Sequence, residues 1–266
     1  MTQAPLRRPL IAGNWKMNNT LQGAVDLAQA VKAGVEPGLG REVMIAPPFT
    51  ALALVARVLE GSAVGLGAQD LHWEDKGAFT GEVSPGQIVD AGCRYAIIGH
   101  SERRHILGET DAVAGKKLRA ALRAGLIPIL CVGETLEERQ SQQMFLVLQR
   151  QVTQALEGSA PGGLSALVVA YEPVWAIGTG QTAKPHQAQE AHLYIRKLLA
   201  KAKGDPLAQS ARILYGGSVK PDNIGDLMAQ PDVDGALVGG DSLNPESFLK
   251  IAHYVRPDAA VAGGRS

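Results

Sequence analysis

Eight short apolar segments recur along the 266-residue chain, and they constrain its fold more than any other feature. Most are bounded by glycine, proline or charged residues, which is typical of parallel strands buried on both faces. They are residues 10–14, 42–46, 64–68, 95–98, 127–131, 167–171, 212–215 and 236–238. Strands that alternate with helices predict an α/β fold with a parallel sheet.

Amphipathic stripes at helical spacing lie between these segments, and Gly34 and Gly125 are candidate helix ends. The stripes are Leu21, Val25, Ala28 and Val31; Phe145, Leu148, Val152 and Leu156; and Ala188, Ala191, Ile195 and Leu198. Eight alternations in about 250 residues match the size of a (β/α)8 barrel. An open doubly wound sheet uses the same alternation with fewer strands, so periodicity alone leaves both architectures open.

Composition narrows the class of protein. Hydrophobic residues make up 45% of the chain but aromatic residues only 5%, so aliphatic side chains build the core. The 26 basic and 26 acidic residues balance, which gives no electrostatic reason to bind nucleic acid or a membrane. Cys93 and Cys131 are too few for a disulfide framework or a cysteine-rich metal site.

No secretory signal or membrane-spanning segment is visible in the sequence, so we expect a cytoplasmic protein. No glycine-, serine- or proline-rich linker divides the chain, which favours one domain. We expect that domain to cover residues 10–257, with an N-terminal extension at 1–9 and a flexible tail at 258–266.

A barrel predicts where chemistry should lie, because active sites of this fold form at the carboxyl ends of the strands. Residues suited to catalysis or anion binding follow five of the eight segments. They are Asn14 and Lys16, His100 and Glu102, Glu172, Ser218, and Gly239 with Gly240. This clustering indicates a single site.

Glu172 ends a buried segment, and the following proline holds it in an extended conformation. A solvated glutamate in a salt bridge would give the same pattern. The next segment is unusually apolar for a loop, which is typical of a lid that closes over a site and excludes water, although its side chains could also pack on the barrel rim. The lid candidates are Pro173, Val174, Trp175, Ala176, Ile177, Gly178, Thr179 and Gly180.

Glycine pairs follow the seventh and eighth segments, where barrels commonly bind phosphate through backbone N–H groups. Gly216-Gly217 precedes Ser218, and Gly239-Gly240 follows Val238. Glycines that merely turn the chain are the alternative. Residues 178–183 also read G-x-G-x-x-A, but six residues separate this run from the preceding strand, so it is a weak dinucleotide signal.

His100 and Lys16 are candidates for stabilising the charge that develops on the substrate. A histidine at a helix N-terminus should have a lowered pKa and donate to a carbonyl as a neutral ring, although a lone histidine is more often structural. Lys16 would supply positive charge for a dianionic substrate and a developing oxyanion, unless it is a surface lysine. Glu102, Arg103 and Arg104 could equally form a solvated charge run.

The connection over residues 69–85 is longer than the usual βα loop and contains Trp73 and Phe79. Apolar side chains on such a loop suggest that it docks into another subunit.

Four motifs together resemble the triosephosphate isomerase family, in order, from about Leu10 to about Tyr254. They are Asn14-Trp15-Lys16-Met17-Asn18, Gly99-His100-Ser101-Glu102-Arg103-Arg104, Tyr171-Glu172-Pro173-Val174-Trp175-Ala176-Ile177-Gly178-Thr179-Gly180 and Tyr215-Gly216-Gly217-Ser218-Val219. The resemblance implies a TIM barrel that interconverts dihydroxyacetone phosphate and D-glyceraldehyde 3-phosphate through an enediol(ate), in glycolysis and gluconeogenesis. It implies no metal or cofactor.

The resemblance also implies a role for each candidate. Glu172 is the base, neutral His100 polarises the carbonyl, and Lys16 stabilises negative charge. Asn14 orients the substrate, and Glu102 supports this group. The phosphate binds to Gly178, Ser218, Gly239 and Gly240. The family is usually a homodimer in which the loop around Phe79-Thr80-Gly81-Glu82 inserts beside the neighbour's Asn14 and His100.

Two departures from the family pattern bear on the site. Gln181 stands where lysine is common at the hinge of the lid. Asp241 follows Gly240 where a small neutral residue is usual, and its carboxylate would repel phosphate unless it points away and caps the following helix.

Other functions stay open on the sequence alone: a phosphosugar aldolase, an NAD-dependent barrel enzyme, or a non-catalytic interaction protein. An aldolase would need a Schiff-base lysine, most naturally inside a strand, and none of the eight segments contains lysine. An interaction protein would not need Glu172, His100 and Lys16, and all three are present.

Overall fold

The computed structural model describes residues 7–177 and 182–257. Within them, eight parallel strands form a closed barrel in sequence order, with the last strand paired to the first. The strands are β1 (Leu10–Asn14), β2 (Glu42–Ala46), β3 (Val64–Ala68), β4 (Tyr95–Ile98), β5 (Ile127–Val132), β6 (Val168–Tyr171), β7 (Arg212–Tyr215) and β8 (Gly235–Val238). The predicted barrel is confirmed, and the open doubly wound sheet is excluded.

Three strand boundaries differ by one residue from those predicted. β5 extends to Val132, which pairs with Tyr171 of β6. β6 begins one residue late, because the N–H of Leu167 donates to Leu164 in a turn. β8 begins one residue early at Gly235, which pairs with Leu10. Pairing with a neighbouring strand sets the boundaries of β5 and β8, and a local turn sets that of β6. The apolar pattern of one segment does not contain that information.

Helices surround the barrel in the described residues: α1 (Leu21–Gly34), α2 (Leu52–Leu59), α3 (Pro85–Asp90), α4 (Ser101–His105), α5 (Asp111–Arg123), α6 (Leu136–Gln140), α7 (Met144–Leu156), α8 (Pro185–Lys203), α9 (Asp205–Ser210), α10 (Ile224–Met228) and α11 (Pro245–Ala252). In the described part of the chain, no helix is long and apolar enough to cross a membrane.

The predicted stripe of α8 is buried, but two others are partly wrong. Leu21 is exposed, Val25 is half-buried, and the buried face of α1 contains Ala24 and Leu27. Phe145 at the start of α7 is also exposed and meets Tyr194 edge-on at 4.6 Å. Leu21 and Phe145 both lie in the first turn of their helix, where other residues, Ala24 and Met144, are buried instead.

Side chains alternate between two apolar layers along each strand, as the pleat requires. Inside the barrel lie Leu10, Ala12, Met44, Ala46, Tyr95, Ile97, Ile129, Cys131, Val168, Ala170, Leu214 and Leu237. Intervening residues such as Ile11, Val43 and Ile45 face the helices. Burial on both faces explains why the strands read as continuous apolar runs.

Barrel closure depends on a glycine at the seam between β8 and β1. Gly235 has a φ of +148°, and a Cβ there would lie 1.9 Å from the carbonyl oxygen of Leu10. Any side chain at this position would push the two strands apart.

His192 of α8 is fully buried and packs against the rings of Tyr171 and Tyr215. Burial lowers its pKa from 6.5 to about 4. The unfolded chain therefore takes up a proton near pH 6.5, whereas the folded protein does not until about pH 4. The stability that depends on the neutral ring is complete above pH 6.5 and is lost as the pH falls toward 4.

We expect His192→Asn to remove this pH dependence, because asparagine does not titrate in this range. Its side-chain amide can still donate to the Asp232 carbonyl oxygen that lies 3.1 Å from Nδ1, so the hydrogen bond is kept. Between pH 6.5 and pH 4 the wild-type protein should lose about 3 kcal/mol more unfolding free energy than the variant. Urea unfolding at fixed protein concentration measures both curves. Parallel curves would show that His192 does not titrate in this way.

Candidate active site

A cavity of about 330 Å³ opens at the carboxyl ends of the strands. Its described lining residues come from β1 and β8 and from the segments that follow β1, β4, β6, β7 and β8. They are Asn14, Trp15, Lys16, Asn18, His100, Glu172, Ile177, Gly216, Gly217, Ser218, Val219, Leu237, Gly239, Gly240, Asp241 and Leu243. The structure thus brings together the described candidates, with Glu102 joined to them through Lys16. Gly178, Thr179, Gly180 and Gln181 lie outside the described residues.

Glu172 is 2% exposed, and both of its carboxylate oxygens have partners. Oε1 lies 2.9 Å from Nε2 of His100, and Oε2 accepts a 2.8 Å hydrogen bond from the backbone N–H of Ser101. Burial alone would raise its pKa, but His100 and the Ser101 N–H outweigh burial and hold the pKa of Glu172 below 4.5. Glu172 is therefore a buried, ionised carboxylate inside the cavity and not a solvated strand-end residue.

The backbone of Glu172 lies directly against the end of β5. Its N–H donates to Val132, and a Cβ on Gly133 would lie 1.7 Å from the carbonyl oxygen of Glu172. The buried Gln151 of α7 fixes Gly133 from the other side, accepting from its N–H at 2.7 Å and donating to its carbonyl at 3.2 Å. Glu172 is thus supported by a corner of the backbone that has no room for a side chain at position 133.

His100 caps the N-terminus of α4, and its Nδ1 accepts a 3.2 Å hydrogen bond from the backbone N–H of Glu102. That bond places the proton of the neutral ring on Nε2, which faces Glu172. The predicted lowering of its pKa is wrong for the free site. Burial does lower the pKa of His100, but the carboxylates of Glu172 and Glu102 raise it above 6.5.

Lys16 occupies a strained turn after β1, with a φ of +52°. The turn is held by Asn14, whose Oδ1 accepts from the Lys16 N–H at 3.0 Å, and by Gln69, which donates to the Lys16 carbonyl at 2.8 Å. The Lys16 ammonium lies 2.5 Å from Oε1 of Glu102. Lys16 is therefore directed into the cavity and is not a free surface lysine.

The basic residues of α4 are structural and do not form a solvated charge run. Arg103 lies 2.8 Å from Glu109, which also pairs with the buried Lys117 at 2.6 Å. Arg104 donates to the carbonyl of Gly99 at 2.7 Å and pairs with Asp111. These contacts fix α4, and hence His100, against the neighbouring loops.

The far side of the cavity is formed by backbone-rich loops after β7 and β8. Ser218, Gly239 and Gly240 line it, and a Cβ on Gly239 would lie 3.7 Å from the Lys16 ammonium nitrogen. Asp241 accepts a 2.6 Å hydrogen bond from the hydroxyl of Ser247 in α11. Its carboxylate is thus turned toward that helix while the residue still borders the cavity.

Residues 173–177, the described part of the predicted lid segment, pack on the barrel rim. The indole N–H of Trp175 donates to Oε1 of Glu134 at 2.9 Å, and the Tyr171 hydroxyl donates to the same oxygen at 3.0 Å. Arg139 lies 3.3 Å from that oxygen. Glu134 therefore ties the lid segment to the ends of β5 and β6.

Gln69 and Glu134 were missed as supporting residues, although both had a usable signal. Gln69 directly follows β3, and Glu134 lies two residues after β5. The rule that polar residues after strand ends approach the site applies to them equally. The contribution of Gln151 had no such signal, because its sequence position lies in the middle of α7.

The closed barrel and its small cavity, which holds a buried carboxylate, an imidazole and an ammonium group, define an α/β-barrel enzyme of acid–base chemistry. The sequence profile of the triosephosphate isomerase family matches residues 9–255. Triosephosphate isomerases from Moorella thermoacetica and Pelobacter propionicus are 56% and 55% identical to the chain; each match covers 94% of this chain and 99% of the relative. The triosephosphate isomerase from Chloroflexus aurantiacus is 55% identical, and the match covers 94% of this chain and 100% of the relative.

The chain belongs to the triosephosphate isomerase family. This membership confirms the predicted isomerase, which interconverts dihydroxyacetone phosphate and D-glyceraldehyde 3-phosphate, and its place in glycolysis follows from the family. Membership of this family decides against the three alternatives left open by the sequence, which were an aldolase, an NAD-dependent enzyme and a non-catalytic interaction protein.

We expect Gly133→Ala to lower kcat by at least about 100-fold, because its methyl group must displace the backbone of Glu172. Gly86→Ala in α3 is the matched control, since a Cβ there meets nothing within 4 Å. It should leave kcat within about twofold, as a helical glycine that gains a methyl in open space does. Steady-state kinetics with thermal unfolding compares the two. Normal turnover in Gly133→Ala would show that activity does not depend on the position of the Glu172 backbone at this corner.

Proposed function

We propose that Glu172 transfers the proton in this isomerisation, taking it from one carbon of the triose phosphate and returning it to the neighbouring carbon. The observation that carries this assignment is the Glu172 carboxylate, which is buried in the cavity and kept ionised by His100 and the Ser101 N–H. An ionised carboxylate that is shielded from water is suited to remove a proton beside a carbonyl group.

His100 donates a hydrogen bond from Nε2 to the carbonyl oxygen and moves protons between the two substrate oxygens. In the free site this N–H faces Glu172, so Glu172 must leave Nε2 before it reaches a substrate carbon. Removal of the carboxylate also removes the main group that raises the pKa of His100. Substrate binding thereby returns the ring toward the neutral form, in which Nδ1 still accepts a hydrogen bond from the backbone N–H of Glu102.

Lys16 supplies the positive charge that stabilises the developing enediolate. Glu102 holds the ammonium group in place from 2.5 Å, and Asn14 fixes the strained backbone that directs it. Asn14 also lines the cavity and orients the substrate.

The phosphate group binds on the opposite side of the cavity, at Ser218, Gly239 and Gly240. The resemblance to the family adds Gly178, which lies outside the described residues. Backbone N–H groups of glycine-rich loops at this end of a barrel are suited to a phosphate dianion. Closure of the lid from Pro173 to Gly180 then excludes water from the enediolate.

The protein acts as a homodimer that forms through the loops after β1 to β4. Exposed apolar residues follow each of these four neighbouring strands: Met17, Phe49, Phe79, Ile106 and Leu107. The loop after β3 is ordered by His72, whose ring lies 4.1 Å from that of Trp73 and 4.2 Å from that of Phe79. In the dimer, the segment Phe79-Thr80-Gly81-Glu82 lies beside Asn14 and His100 of the other copy.

The cytoplasmic location, the absence of nucleic-acid or membrane partners and the absence of a metal or cofactor stay predictions from the sequence.

Glu172→Asp should lower kcat by about 100-fold or more, because the shorter side chain withdraws the carboxylate from the carbon it must reach. A coupled assay of the purified protein measures this, and far-ultraviolet circular dichroism checks the fold. Glu246→Asp is the control, because Glu246 is an exposed residue in the first turn of α11, and it should retain wild-type turnover. A Glu172→Asp enzyme with normal kcat would exclude Glu172 as the base.

Phe79→Glu should weaken the dimer by at least about tenfold, because it places a charge in the proposed apolar interface. Sedimentation velocity over a concentration series measures dissociation. Leu146→Glu on the exposed face of α7 makes the same kind of change outside this surface and should leave the assembly intact. A Phe79→Glu protein that sediments like wild type would place the interface elsewhere.

A further inference from the structure

The cavity borders on an acidic residue that the proposed mechanism does not use. Among the described lining residues, Lys16 is the sole lysine or arginine, whereas Glu172 and Asp241 both carry carboxylates. Lys16 is already paired with Glu102 at 2.5 Å. The cavity therefore has little positive charge to offset a second acid near a bound dianion.

Asp241 lies at the phosphate side of the cavity and not at the reacting side. It directly follows Gly239 and Gly240 and belongs to the short 3-10 turn Gly240–Leu243. Its Oδ1 accepts a 2.6 Å hydrogen bond from the Ser247 hydroxyl, which turns the carboxylate toward α11. Ser247 is a neutral partner and does not cancel the charge, and Asp241 still borders the cavity, so the charge still acts on an anion bound there. Among the described side chains, no lysine, arginine or histidine forms an ion pair with it.

We propose that Asp241 sets the affinity of this enzyme for phosphorylated ligands by repelling the phosphate dianion from the Gly239-Gly240 loop. The inference rests on the phosphate position given under Proposed function. The repulsion acts alike on substrate, enediolate and product, because all three carry the same phosphate group. Such a uniform effect raises KM and speeds product departure, with little effect on the chemical step.

Asp241→Asn tests the charge without removing the hydrogen bond, since the asparagine Oδ1 can still accept from Ser247. At low ionic strength we expect the inhibition constant of inorganic phosphate and the KM for the triose phosphate each to fall about fivefold. Added salt should narrow the difference from wild type, because it screens the charge. kcat should not rise.

Asp90→Asn is the matched control, because Asp90 is an exposed residue at the end of α3, before β4 begins, and makes the same change in net charge. It should leave both constants within about twofold of wild type, as expected for a screened surface charge. Asp241→Ser, which also removes the charge but shortens the side chain, should lower both constants as Asp241→Asn does.

Unchanged or raised phosphate inhibition constants in Asp241→Asn and Asp241→Ser would overturn the role of Asp241 and leave the phosphate position intact. If inorganic phosphate did not compete with the triose phosphate in the wild-type enzyme, both the role of Asp241 and the proposed phosphate position would be overturned. An equal effect in Asp90→Asn would show that net charge, and not the position of Asp241, is responsible.

Discussion

The structure of the site depends on one interaction: the buried carboxylate of Glu172 is held by His100 Nε2 and by the N–H of Ser101. A buried carboxylate without such partners would be protonated, because burial opposes the charge. Both partners lie at the start of α4, which follows β4, whereas Glu172 directly follows β6. Glu172 therefore stays ionised in its buried position only because the barrel has brought these strand ends together.

Each neighbouring group can be understood as a support for that contact. Gly133 leaves space for the Glu172 backbone, and Gln151 fixes Gly133. The ion pairs of Arg103 and Arg104 fix α4, at whose N-terminus His100 lies. The strain at Lys16 is retained because Asn14 and Gln69 determine its backbone position. The site is thus made of short-range constraints that the closed sheet imposes together.

Much of the fold could be predicted from the sequence, because buried parallel strands give apolar runs and their ends mark the site. Glu172, His100 and Lys16 were found by that rule, and Glu134 and Gln69 could have been. The pKa of His100 could not be predicted, since the helix terminus is visible in the sequence but the carboxylate contact is formed only by folding. The exposure of Leu21 and Phe145 could not be predicted either, because a helical period does not show which residues of the first turn contact the barrel.

A carbon-13 NMR titration of the Glu172 side-chain carboxyl group, assigned by its loss in Glu172→Gln, would test the held carboxylate most directly. The contacts with His100 and Ser101 predict that Glu172 in the free, folded protein titrates with a pKa below 4.5. A pKa above that value would contradict the structure, because burial would then outweigh both partners and the Glu172 carboxylate would not be held as an ion.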